Sequence, residues 1–131
     1  MKLLKVSIRG EYKGLNNQSF DFGDSNNIVA MVGLNGSGKS QLLEVICETF
    51  SYLERVKRRE FRVRASLDFA VTIEYSIRLY LDDSESTTHK VVITHDGEVA
   101  CYMMANDNWR SISLKELNLP QYVVGYSSGL N

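Results

Sequence analysis

The residues Gly33-Leu34-Asn35-Gly36-Ser37-Gly38-Lys39-Ser40 have the types and spacing of a phosphate cradle, G-x-x-x-x-G-K-[ST]. The chemistry follows from the geometry such a loop permits. Glycines let the backbone wrap closely around phosphates, so that successive N–H groups converge as an anion nest. A lysine at the position of Lys39 reaches the β- and γ-phosphates, and a hydroxyl at the position of Ser40 ligates Mg²⁺. A helix starting there adds the partial positive charge of its N-terminus. Gly33, Asn35, Gly36, Ser37, Gly38, Lys39, Ser40 and Gln41 are therefore the candidate nucleotide-binding residues, and Ser40 is the candidate Mg²⁺ ligand.

A Gly/Ser-rich turn can match this pattern by chance, so the flanking elements matter. Ile28-Val29-Ala30-Met31-Val32 is an unbroken apolar run, which predicts a buried parallel strand. After the loop, Leu42, Leu43, Val45, Ile46, Phe50, Leu53 and Val56 recur at helical spacing, predicting a helix from about Lys39 to the region of Arg59. Strand, loop and helix come in the order the motif needs.

Further elements follow from periodicity. Leu4, Val6 and Ile8 alternate with Lys5, Ser7 and Arg9, predicting a strand over 3–12, and Ser19–Phe22 reads as a second, short strand. Beyond the helix the period falls to two: Leu67, Phe69, Val71, Ile73, Tyr75, Ile77, Leu79 and Leu81 alternate with polar residues, as in a half-buried antiparallel strand. A turn is expected at Asp82–Ser86, a hairpin at Asp96-Gly97, a helical turn at Ser113–Leu117 and a last strand at Gln121–Tyr126. The expected fold is thus α/β: a phosphate-loop core over 1–60 with an antiparallel β-meander appended over 61–126.

The chain of 131 residues carries a net charge of −1, with charged residues at 24%. This is one domain's worth of chain, with no global attraction to nucleic acid or to a membrane surface. No stretch has the length or apolarity of a membrane span, and the first residues lack a secretory core, so a cytoplasmic location is expected. Cys47 and Cys101 are too far from any partner motif to suggest a metal site and read as small buried hydrophobes, while His89 and His95 show no ligand spacing.

Three stretches together resemble the ATP-binding head of the ABC-type ATPases of the SMC/RecF/RecN group: Ile8–Leu15, Phe20–Phe22 and Ile28–Ile46, with the Asn35-Gly36-Ser37 interior the most specific part. Tyr122–Asn131 also looks like a segment of the SMC-like AAA ATPases of bacterial restriction and anti-phage systems. The resemblance implies an N-terminal P-loop NTPase lobe of an SMC head. Its parent engine would use ATP to close a dimer and act on DNA, in repair or antiviral defence. It also implies a nucleotide contact for Lys13, which follows Tyr12 where family members carry a basic residue.

Several family features lack an obvious counterpart here. The family's Walker B strand ends in Asp-Glu; the nearest imitation, Ile77–Asp83, alternates and carries Arg78, which favours a hairpin end. Ser127-Ser128-Gly129 fits a signature loop, the exit of an antiparallel lobe, or a helix N-cap. Arg55, Lys57, Arg58, Arg59, Arg62 and Arg64 form a basic run suited either to DNA phosphates or to the C-terminal end of the helix dipole. The expected function is accordingly the ATP-binding half of an ATPase, completed by a C-terminal lobe or a second copy, with little hydrolysis by this chain alone. The alternatives are a non-catalytic nucleotide-binding module and a small phosphotransferase.

Overall fold

The computed structural model describes residues 1–23, 38–58, 67–82, 85–105 and 107–120. Among these, the order is β1 (Lys2–Arg9), β2 (Glu11–Tyr12), β3 (Leu15–Asn16), β4 (Ser19–Asp21), α1 (Lys39–Lys57), β5 (Ala70–Asp82), β6 (Glu85–Asp96), β7 (Glu98–Ala105) and β8 (Asn108–Ile112). Six strands form one sheet in the order β4-β1-β5-β6-β7-β8, and β2 and β3 form a separate two-stranded hairpin.

The α/β expectation is overturned. Each described strand pairing is antiparallel, and the described residues hold a single helix. The meander is not appended to an α/β core: β1 lies between β4 and β5, so the N-terminal strands and the later hairpins share one sheet. The physical reason is visible in the alternation. Val6 stands opposite Ile73 and Ile8 opposite Val71, which makes one apolar face. On the other face Lys5 stands opposite Glu74, and Ser7 opposite Thr72. A doubly wound sheet needs strands apolar on both faces, because helices cover both. These strands are apolar on one face only, which suits an antiparallel sheet with one helical layer. The strand expected at Ile28–Val32 lies outside the described residues, as does the strand expected at Gln121–Tyr126.

The core is built row by row. Val6, Ile73, Ile93, Cys101 and Ile112 stand opposite one another across five neighbouring strands, and all are buried. Helix α1 buries Leu42, Val45, Thr49, Phe50 and Leu53, the i, i+3, i+4 stripe expected of a helix with one core-facing side. Phe50 meets Tyr75 edge-on at 5.6 Å, and Tyr52 meets the buried His95 edge-on at 5.3 Å. Burial pushes the Tyr75 phenol pKa far up, and its hydroxyl donates to the Asn118 carbonyl at 2.8 Å. That bond pins the turn after β8, where Leu117 is fully buried.

Gly97, with φ of 80°, sits between the paired residues Asp96 and Glu98 and turns β6 into β7, where a hairpin was expected. The part of the Walker B imitation that is described, 77–82, belongs to an antiparallel strand: β5 pairs with β6 as far as Asp82, opposite Glu85. Asp83 lies outside the described residues.

The two cysteines are free, Cys101 buried and Cys47 partly exposed, and burial raises the Cys101 pKa. A thiolate-specific reagent at neutral pH is therefore expected to label only Cys47 in the folded protein, with Cys101 reacting after denaturation. Two native labels of equal rate would contradict this packing.

Candidate functional site

Helix α1 begins where the phosphate motif ends. Gly38 is its N-cap residue, in the left-handed conformation with φ of 94° and ψ of 6°, and among the described residues no side chain makes a capping hydrogen bond. The Leu42 N–H donates to the Gly38 carbonyl at 2.9 Å, so the first helical bond closes on the glycine. Lys39 and Ser40 are the first two helical residues and Gln41 the third; Ser40 is exposed and Lys39 and Gln41 are half-buried. No acidic side chain lies in the first turn. The partial positive charge of the helix start is thus not neutralised by a carboxylate of that turn. Gly33, Asn35, Gly36 and Ser37 lie outside the described residues.

Gly38 is fixed from behind. A Cβ placed on it would come within 2.7 Å of the Leu15 Cδ2 atom, and its positive φ disfavours any side chain in its own right. Leu15 belongs to the β2–β3 hairpin and is fully buried. Gly38→Ala is therefore expected to cost about 1–3 kcal/mol through backbone strain, with the Leu15 overlap added. Chemical denaturation checks this, and a loss below about 0.5 kcal/mol would contradict the geometry.

The hairpin is a small structure in its own right. Gly10, at φ of 81°, breaks the strand that the sequence suggested would continue to Tyr12. The Gly10 N–H donates to the Asn17 side-chain oxygen at 2.8 Å, and the Asn17 N–H returns a bond to the Gly10 carbonyl at 3.0 Å. At the tip, Tyr12 pairs with Leu15 across Lys13 and Gly14, whose φ values are 45° and 88°. Two successive positive φ angles are what the tightest hairpin turns require, and lysine is an unusual first residue for one.

Two polar side chains tie this hairpin to α1. The Tyr12 hydroxyl donates to Glu48 at 3.0 Å, and the Lys13 ammonium is hydrogen-bonded to Glu44 while lying 5.4 Å from the Tyr12 ring centroid. The bond to Glu44 raises the Lys13 pKa. Burial, then the bond to Glu48, raises that of Tyr12. Glu44 and Glu48 are one turn apart on the same helical face. Lys13, expected to touch nucleotide, thus stands beside the second turn of α1 with Glu44 as its partner. Tyr12 and Leu15 lie in the Ile8–Leu15 stretch that carries the resemblance, but the residues alone indicate no role for them, nor for Glu44 and Glu48, which show i, i+4 spacing.

The basic run divides. Arg58 pairs with Glu54 at 2.6 Å, one turn earlier on the helix. The Lys57 ammonium donates to the Leu117 carbonyl and so anchors the turn after β8. Arg55 and Lys57 lie in the last turn of α1, where cations complement the dipole. Arg59, Arg62 and Arg64 lie outside the described residues, as does Ser127-Ser128-Gly129.

Among the described residues no cluster of three His, Cys, Asp or Glu side chains could hold a metal. The Ser40 hydroxyl, expected from the sequence to ligate Mg²⁺, is exposed in the first turn of α1. No helix among the described residues is long and apolar enough to cross a membrane. Comparison with protein-family models, curated proteins and solved structures returns no match for this chain.

Proposed function

We propose that this chain binds the triphosphate of ATP with Mg²⁺ at the junction of the Gly33–Ser40 loop and α1. In this reading it serves in the cytoplasm as the ATP-binding lobe of an SMC-type ATPase that acts on DNA in repair or antiviral defence. The observation that carries the reading is the start of α1: the motif's last glycine is left-handed, its lysine and serine open a 19-residue helix, and the first turn holds no carboxylate. Such a helix end attracts anions by its dipole and by the N–H groups of its first turn. The lysine supplies a full charge and the serine a Mg²⁺ ligand. Residues that polarise the attacking water would come from a C-terminal lobe or a second copy, which makes this chain the holding half of the site.

The test is titration with MgATP of the wild-type chain and of Lys39→Ala, followed by hydrolysis assays with and without the remainder of the ATPase. Tight binding that disappears in Lys39→Ala supports the reading. Binding that is absent in wild type, or indifferent to Lys39, removes it. Binding with no hydrolysis under any pairing would leave a non-catalytic nucleotide module. Transfer of phosphate to a small acceptor would identify a phosphotransferase.

A further inference from the structure

We propose that the β2–β3 hairpin positions the phosphate loop, with Leu15 as the residue that fixes the loop's last glycine. This rests on the reading that the Gly33–Ser40 loop binds nucleotide phosphate. Leu15 touches no phosphate in this scheme. It is a positioning residue: its Cδ2 atom lies 2.7 Å from where a Cβ on Gly38 would stand, so the space beside the glycine is filled by the hairpin.

The hairpin is held too firmly to be a passive surface loop. Tyr12 is buried, with its ring 4.6 Å from that of Phe69 just before β5, and its hydroxyl reaches Glu48 on α1. Lys13 meets Glu44 one helical turn nearer the phosphate end. The hairpin is thus wedged between the entry to β5 and the flank of α1, and Leu15 faces the glycine between loop and helix. Lys13 also holds the positive φ that the tight turn requires. These contacts hold the hairpin against the first turns of α1, next to Gly38. A small displacement of phosphate-binding groups costs binding out of proportion to the atoms moved.

The experiment uses MgATP titration of the full chain, well below the unfolding temperature. Leu15→Ala opens space behind Gly38, and Tyr12→Phe removes only the hydroxyl bonded to Glu48. Each is expected to weaken MgATP binding about tenfold, the scale of a misplaced but intact binding group. Leu15→Met, which refills the space, is expected to restore most of the affinity. Ile93→Val, a buried change on β6 opposite Ile73 and Cys101, lowers stability and should leave the affinity unchanged. Failure of the wild type to bind MgATP would defeat the underlying reading and this inference with it. Wild-type binding that Lys39→Ala abolishes, but that Leu15→Ala and Tyr12→Phe leave intact, would overturn the positioning role alone. Equal weakening by Ile93→Val would reduce it to general stability.

Discussion

Replacing Lys39 by alanine is expected to weaken MgATP binding by roughly 30- to 150-fold while leaving the fold intact. The size follows from the interaction that the ammonium makes with phosphate. A charge-assisted hydrogen bond of this kind contributes about 2–3 kcal/mol, and each 1.4 kcal/mol is about a factor of ten in affinity. Stability should hardly move, because Lys39 begins α1 and alanine is an excellent helix residue. Lys39→Arg is a sharper probe: its planar fork is not a point charge on a flexible stem, so it should recover only part of the affinity. Ser40→Ala has a different signature, a narrowing of the gap between MgATP and metal-free ATP. Isothermal titration at fixed ionic strength reads all three variants. Unchanged MgATP affinity in Lys39→Ala would mean that the motif is a glycine-rich turn with no phosphate to hold.

Local pattern carried much of this structure, and tertiary pairing the rest. The start of α1 was legible because Gly38-Lys39-Ser40 announces it, and the buried stripe Leu42, Val45, Phe50, Leu53 follows from spacing. The alternation in β1 and β5 is also plain to read. What the pattern concealed is that β1 pairs with β5, although the two segments are far apart in the chain. Without that pairing the meander looks like an addition to a phosphate-loop core, and the α/β expectation arises. Strand β8 was hidden for another reason: in Asn108-Trp109-Arg110-Ser111-Ile112 only Ile112 is buried, so no alternation shows. The first half of β6, Glu85 to Lys90, is polar, and its first two residues fall in the expected turn at Asp82–Ser86; it is a strand because it pairs along β5. At the candidate site, the sequence marked Gly38, Lys39 and Ser40, and the structure places them at the start of α1. The packing behind it, Leu15 on Gly38 and Tyr12 on Glu48, depends on a hairpin folding back onto a helix. Nothing local encodes that.

The sheet's one-sidedness predicts a large asymmetry between neighbouring residues of β5. Ile73 is fully buried, between Val6 on one side and Ile93 on the other, and its truncation to alanine leaves a cavity in the central row. The expected destabilisation is about 3–4 kcal/mol, from the forfeited transfer free energy and the residual void. For a single domain whose total stability is about 5–15 kcal/mol, this is a substantial fraction, and the thermal midpoint should fall by roughly 10 °C or more. Ile73→Val, which removes one methylene, should cost about 1 kcal/mol. Glu74 is the next residue along and points the other way, half-exposed between the positions of Lys5 and Val92. Glu74→Gln keeps its shape and removes only its charge, and should change stability by no more than about 0.5 kcal/mol. Urea unfolding of the three variants gives the comparison directly. In a sheet covered by helices on both faces, positions 73 and 74 would both be buried and comparably sensitive. Similar large losses at both positions would therefore restore a two-sided sheet, and a loss confined to Ile73 fits an antiparallel sheet with α1 on one face and a polar second face.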